Sequence, residues 1–419
     1  MSRRTPLLLL GLTALVFASS VGAAPHSVGT TQAADLSTNE GVAAYLSSKG
    51  MSAKGFVIQR GHLNYAGPRC PGQRWNCTKK TKVVQISSGR HGRNRLECGP
   101  GGTLTDTTTA GTRTITCVVI QTATSGTNHA RCALSARSAS PVLLECRIEQ
   151  TNANGDNKAR VKQRAVQRDG ANQLATLNAL VTQRNGSGDN SSDVDQTIDQ
   201  TTDDVQLATS PAQNQEGRFS ARIAQSSVTG SNDSHLDQDL EQRGKASGSS
   251  SIVQRQFGNH VGDVDQTIGA GSGAPTFSKH KPKSKSSSKS FSRSRAHQSE
   301  RQRLKGPGQQ IQIGPLFCCS TQLGGDQDKT RVRIRQDSKQ TASQANAQQS
   351  QSITGECTTV GDCGIRQRAR NDEDSIRVRE RCTAPEGGTC SLFVPTTCSS
   401  ESGCSTGDEE EPTSRGRRR

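Results

Sequence analysis

GDNSSDVDQTIDQ, Gly188–Gln200, alternates residue by residue between two kinds of side chain. Asn190, Ser192, Val194, Gln196, Ile198 and Gln200 share one side of an extended chain, and Asp193, Asp195, Thr197 and Asp199 share the other. A period of two belongs to a β-strand with unlike faces; a helix would scatter these residues around its surface. Gly188 and Asn190 supply turn chemistry, because both residue types tolerate left-handed backbone angles. The segment reads as a turn followed by a strand of about nine residues.

The unit recurs. GDNKARVKQRAVQ (Gly155–Gln167) and GSNDSHLDQDLEQ (Gly230–Gln242) keep the glycine, the asparagine, an apolar residue and two glutamines in the same frame. The hexapeptide DVDQTI occurs at Asp193–Ile198 and again at Asp263–Ile268. GRFSARIAQ (Gly217–Gln225), GNHVGDVDQTI (Gly258–Ile268) and DKTRVRIRQDSKQ (Asp328–Gln340) fit the frame more loosely. GRNRLEC (Gly92–Cys98) and GTNHARC (Gly126–Cys132) place cysteine where the others have the apolar residue. The glycines at 155, 170, 188, 217 and 230 are unevenly spaced, so some connections are expected to be long loops.

Composition explains why such a repeat is needed. The chain has 419 residues, 30% of them apolar and 3% aromatic, with a net charge of +16. That is too little greasy surface for ordinary cores along most of its length. A glutamine amide carries two donors and one acceptor, and identical amides stacked strand over strand can bond along the stack. Gln163, Gln167, Gln196, Gln200, Gln225, Gln238, Gln242, Gln254, Gln266, Gln336 and Gln340 are predicted to form such ladders. On the opposite face Lys158, Arg160, Lys162 and Arg164 precede Asp193, Asp195 and Asp199, which predicts cross-strand charge pairs.

The remaining covalent support is disulfide chemistry. Cys70, Cys77, Cys98, Cys117, Cys132 and Cys146 form one block; Cys318, Cys319, Cys357, Cys363, Cys382, Cys390, Cys398 and Cys404 form another. Each block is even, as expected if each closes its own bridges in an oxidising compartment, and connectivity stays open. Adjacent Cys318 and Cys319 are expected in two separate bridges. No C-x-x-C pair or zinc-like Cys/His spacing points to a metal. Export agrees with the N-terminus: a basic MSRR, an apolar LLLLGLTALVFA and a small-residue SSVGAA form a secretory signal.

From Gly269 the chain turns Gly/Ser/Pro-rich and basic. Lys279, Lys281, Lys283, Lys285, Lys289, Arg293, Arg295, Arg301, Arg303 and Lys305 face only Glu300 in opposition. This predicts a mobile linker able to hold anionic polymers, either cell-wall polymers or DNA, without sequence specificity. No H-E-x-x-H or P-loop occurs, and the aspartates of DVDQTIDQTTDD alternate along a strand instead of wrapping a calcium loop. The reading is non-enzymatic, with no cofactor and no metal.

QEGRFSARIAQ (Gln215–Gln225) resembles the Q-x-G-x-x-N-x-A-x-x-x-Q repeat of curlin-type proteins, secreted subunits of bacterial amyloid fibres. Gln215, Gly217, Ala221 and Gln225 carry the match; Ser220 stands at the asparagine place, and the unit is one residue short. The resemblance implies a stacked β-fold and self-assembly.

The predicted architecture is mainly β, with irregular stacked-strand (β-solenoid-like) repeats flanked by disulfide-braced β modules. Its segments are a signal peptide (1–24), an N-terminal disulfide-braced module (25–146), a Gln/Asn strand-repeat region (147–270), a basic linker (271–309), a C-terminal disulfide-braced module (310–404) and a disordered tail (405–419). The expected role is a secreted structural or adhesive protein of the cell envelope or extracellular matrix, assembling with itself through repeat edges. The alternative is polyanion capture through the linker and basic strand faces. No transmembrane segment is expected in the mature chain.

Overall fold

The computed structural model describes residues 36–99, 105–170, 172–206, 212–247, 253–269, 291–324, 330–344, 347–384 and 389–407. They form a mainly β protein in which one continuous ladder of strands folds into two facing walls. Wall B contains β1 (Val57–Arg60), β4 (Lys82–Ser87) and the first halves of β7 (Thr112–Arg137) and β8 (Val142–Arg168). It continues with β9 (Asn172–Ser187), β11 (Ala212–Thr229), β13 (Val253–Ile268), β15 (Gln309–Leu323) and β17 (Gln348–Thr359). Wall A contains β2 (Leu63–Ala66), β5 (Gly92–Cys98) and the second halves of β7 and β8. Above these lie β10 (Asn190–Gln206), β12 (Asn232–Ser247), β14 (Ser292–Lys305), β16 (Arg331–Thr341) and β18 (Asp362–Arg370). Within each wall all these strands pair in parallel and in register.

The corner between the walls is set by glycine. Gly126, Gly155, Gly188 and Gly230 stack at the B-to-A corner with φ of 110°, 142°, 122° and 134°. A methyl on any of them would overlap the carbonyl oxygen of the glycine one level below. A positive φ and a backbone in contact on the missing side chain's position admit glycine alone.

Inside, amides line up as the composition demands. Gln196 donates to Gln163 at 2.7 Å, Gln238 to Gln196 at 2.8 Å, Gln298 to Gln238 at 2.8 Å and Gln336 to Gln298 at 2.8 Å. A parallel ladder runs through Gln167, Gln200, Gln242, Gln302 and Gln340 at 2.7–2.9 Å. Wall B has its own ladders: Gln266 donates to Gln225 at 2.6 Å and Gln254 to Gln213 at 2.8 Å. The second hydrogen of many amides crosses the core, as when Gln196 donates to the Leu177 carbonyl at 3.1 Å. An asparagine ladder, Asn64, Asn94, Asn128, Asn157, Asn190 and Asn232, runs beside the glycine corner at 2.8–2.9 Å and donates in the opposite direction along the stack. All eleven sequence-predicted ladder glutamines are buried on these inner faces. Apolar columns fill the space between, with Val161, Val194 and Leu236 in wall A opposite the smaller Ala179, Ala221 and Gly262 in wall B.

Uneven glycine spacing has a simple cause. Consecutive members of one ladder are separated by 33, 42, 60, 38 and 31 residues, because only the connections between levels vary. One expectation about the frame is corrected here. GRFSARIAQ and GNHVGDVDQTI do not begin at the corner: Gly217 and Gly258 pair with each other inside wall B strands. The residues that carry the curlin resemblance, Gln215, Gly217, Ala221 and Gln225, therefore lie within the single strand β11.

Twelve cysteines close six bridges: Cys70–Cys77, Cys98–Cys117, Cys132–Cys146, Cys357–Cys363, Cys382–Cys390 and Cys398–Cys404. Cys98–Cys117, Cys132–Cys146 and Cys357–Cys363 cross the core from wall to wall. Cys132 is in register with Val161, so sulfur replaces the apolar filling at the ends of the stack. Closing a loop of 14 or 19 residues removes unfolded-state entropy on the order of 3 kcal/mol. Cys318 and Cys319 overturn the expectation of two further bridges: both are free thiols. Neighbours on a strand point to opposite faces. Cys318 is buried inward beside Gly262 and Gly355, while Cys319 points outward between Asp263 and Glu356, so neither meets a second sulfur.

The expected mobile linker is also corrected. Residues 292–305 are strand β14, and β15 begins at Gln309. Ser292, Ser294, Ala296, Gln298 and Gln302 face inward and continue the ladders, while the basic residues face out. Counting charge without its period hid the strand. Residues 271–290 lie outside the described residues, as do the signal segment and 408–419. In the tail segment that is described, Ser405 and Thr406 belong to β21 (Gly403–Thr406).

The stack is closed at both ends. At the first level β3 (Asn76–Thr78) pairs with β2, and Gln59, the lowest ladder amide, donates to the Asn76 and Tyr65 carbonyls at 2.6 and 3.0 Å. At the last level β19 (Ser375–Thr383) pairs antiparallel with β18, and β20 (Cys390–Ser399) antiparallel with β17. One helix was not expected from the β-rich reading of the N-terminal block. In α1 (Asn39–Ser48) Thr38 caps the first turn by accepting from the Gly41 N–H at 3.0 Å. Val42 and Leu46, four residues apart, pack on Ile58, Val84, Ile86 and Ile120 of wall B's outer face.

Candidate polyanion-binding face

Period two sends every second residue of wall A outward. From β14 these are Arg293, Arg295, His297, Ser299, Arg301, Arg303 and Lys305; from β16, Arg331, Arg333, Arg335, Asp337 and Lys339. From β18 they are Asp362, Gly364, Arg366, Arg368 and Arg370, and from the antiparallel β19, Arg377, Arg379 and Arg381. The registers align them in columns: Arg295 beside Arg333, Arg335 beside Arg366 beside Arg379, Arg368 beside Arg377, and Arg301 beside Lys339 beside Arg370. Columns repeat at about 4.8 Å and residues along a strand at about 6.7 Å, giving a regular grid of cations.

Two carboxylates interrupt the grid. Asp337 holds Arg335 at 2.7 Å, and Asp362 lies 3.6 Å from Arg331 and 3.4 Å from Arg381. Arg333, Arg366, Arg368, Arg370, Arg377 and Arg379 have no carboxylate within ion-pair distance among the described residues. Crowding is visible in Arg368, whose guanidinium is held below its usual value, by desolvation first and then by Arg370 and Arg377. Like charges this close repel, and an anion laid across them relieves that repulsion.

Below the grid the face changes sign. β10 and β12 present Asp193, Asp195, Asp199, Asp233, Asp237, Asp239 and Glu241, and β8 beneath them is basic again. Arg160 meets Asp193 at 3.3 Å and Lys162 meets Asp195 at 3.1 Å, so the predicted cross-strand pairs form. His297 stands at the border of the acidic band and the grid. A hydrogen bond with Asp237 at 3.1 Å and the Asp337 carboxylate 3.9 Å away push its pKa up to about 9, and Asp337 falls to about 2 beside His297 and Arg335. His297 is therefore a fixed cation at neutral pH.

Of the sequence-predicted polyanion residues, Arg293, Arg295, Arg301, Arg303 and Lys305 lie on this face; Lys279, Lys281, Lys283, Lys285 and Lys289 lie outside the described residues. Sequence reasoning missed Arg366, Arg368, Arg370, Arg377, Arg379 and Arg381. Their signal was present in IRQRAR (Ile365–Arg370) and IRVRER (Ile376–Arg381), which alternate like the RVRIR of β16.

Among the described residues no cluster of His, Cys, Asp and Glu is placed to hold a metal ion, and no helix is long and apolar enough to cross a membrane. No protein-family model, characterised protein or solved structure matches the chain.

Proposed function

We propose that the protein is a secreted, non-enzymatic structural and adhesive solenoid that holds anionic polymers on the basic outer face of wall A. The observation that carries this reading is the set of grid arginines on β16, β18 and β19 that have no carboxylate within ion-pair distance among the described residues, Arg333, Arg366, Arg368, Arg370, Arg377 and Arg379. A rigid sheet offers repeated cations to a repeated anion without paying for their ordering at each contact. Few aromatic side chains accompany them, Phe291 under Arg293 at 5.8 Å being one, so the contact is to charge and not to bases. Six bridges suit an oxidising, extracellular setting.

Growth of a fibre by adding copies level upon level, as the curlin resemblance implies, is disfavoured by the closed ends. The β3 loop with Cys70–Cys77 covers one end. Arginine-rich β19 forms an outer strand at the other, and charged edges oppose strand addition.

Heparin and duplex DNA binding tests the reading. The expected result is affinity for both, with log K falling linearly as log salt rises. Replacing Arg333, Arg366 and Arg368 together with Gln should weaken binding by about tenfold or more and reduce the salt slope by about two to three. Replacing Lys279, Lys281, Lys283, Lys285 and Lys289 should have the smaller effect. The reverse order would place the contact in that lysine-rich segment and remove the face from the account.

A further inference from the structure

The outer face of wall B differs from that of wall A. On β15 it shows Gln309, Ile311, Ile313, Pro315, Phe317, Cys319, Thr321 and Leu323, with no charge in the row. On β17 the outward row carries Glu356 as its one charged residue, and on β20 it carries none. Val261, Phe317 and Thr354 are in register across three strands, and Phe257 is in register with Ile313 and Ser350. Val261, Ile313, Phe317, Leu323 and Phe393 are 36–60% exposed, and all five lie on this face. In a chain that is 21% charged, a bare row of this length is not a solvated surface.

The lower levels show what such a face requires. There α1 lays Val42 and Leu46 over Ile58, Val84 and Ile120, and Tyr45 fixes the helix by donating to Glu149 at 2.7 Å. The helix covers that lower region, and the apolar row on β15 lies higher on the same wall, where β13 beside it adds Phe257 and Val261 together with the charged Arg255, Asp263 and Asp265.

We propose that the upper levels of wall B form a homodimer interface, in which a second copy packs its own β13–β15–β17 face on this one about a two-fold axis. Charge selects this occupant. An anionic partner is drawn to the opposite wall, and two copies with a large positive charge can approach closely only through faces that are not themselves net positive. Here β15 carries no charge, and Arg255, Asp263, Asp265 and Glu356 are the charged residues on the flanking β13 and β17. Two flat sheet faces pack about 10 Å apart with side chains interdigitating, and a two-fold places the same apolar residues on both sides. Such a dimer turns both arginine grids outward and makes the protein bivalent for polyanions. The dimer itself does not depend on the polyanion reading and is tested separately from it.

Sedimentation velocity on the full mature protein decides the matter. A dimer is expected whose affinity holds or tightens at about 1 M salt, because the contact is apolar. Phe317→Asp should weaken dimerisation at least about 100-fold while leaving the strand spectrum, the six bridges and the affinity for a short heparin fragment unchanged. Should that variant fail to fold, the pair Ile313→Thr and Phe317→Thr, which copies the hydroxyl character of neighbouring β17, must weaken it by about tenfold or more. A wild type that stays monomeric to about 100 μM would assign the patch to another occupant, a segment of this chain or a foreign ligand, and overturn the proposal. So would a dimer that dissociates with salt or ignores the Phe317 change.

Discussion

Glu300 occupies a place that belongs to an aliphatic residue. It is in register with Leu240 below, which is in register with Ile198, yet its two carboxyl oxygens have no hydrogen-bond partner. Space for it comes from Gly258 and Gly314, where a methyl would overlap those oxygens. Full burial pushes its pKa well above the ordinary carboxyl range. The folded form therefore keeps the proton, while the unfolded chain releases it above about 4.5, so this group's contribution is intact below that pH and is lost as pH rises. Glu300→Leu should raise stability at pH 8 by a few kcal/mol and flatten the loss seen between pH 5 and pH 8, as read by thermal melts at both values. An unchanged pH profile would mean that Glu300 finds a partner in solution. The period of two placed this side chain inward, but its identity gave no warning that an acid would lie in a core.

At the scale of the element, each strand is held by what lies above and below it. Gln196 accepts from Gln238, donates to Gln163 and donates across to Leu177. Gln196→Ala removes these contacts and leaves a cavity among buried polar groups, so a loss of about 3 kcal/mol or more is expected. Thr197→Ala, on the outer face of the same strand, should change stability by less than about 0.5 kcal/mol. Denaturant unfolding of the two variants checks the contrast; equal effects would show that the ladder contributes little beyond its neighbours. This much was legible from alternation alone. The linker was not, because SRSRAHQSERQR (Ser292–Arg303) hides its inward Ser, Ala and Gln positions among arginines.

Across the whole molecule, bridges and ladders divide the work. Wall-to-wall disulfides join the levels of β5, β7 and β8 at one end and of β17 and β18 at the other, whereas β10 to β14 rely on amides and aliphatic columns. In a stack each level contacts mainly its neighbours, so stability is close to a sum of local terms. Reduction should therefore lower amide-exchange protection about 100-fold or more in β5, β7, β17 and β18 while β10–β14 stay within about tenfold. Loss of protection throughout would mean that the stack unfolds as one cooperative unit.

The two copies of DVDQTI mark the boundary between what is local and what is not. In both, the valine, glutamine and isoleucine face inward, as period two requires. The first lies in wall A and stacks Gln196 on Gln163; the second lies in wall B and stacks Gln266 on Gln225. The sequence by itself determined strands with an amide-lined inner face, cysteines at apolar places and a chain dependent on ladders, because each follows from alternation between near neighbours. Tertiary structure alone decided which wall a strand joins, which sulfurs meet, that Cys318 and Cys319 stay apart, and that scattered arginines form one grid. Those outcomes depend on registers between residues tens of positions apart, and connection lengths, which vary freely at little energetic cost, do not encode them.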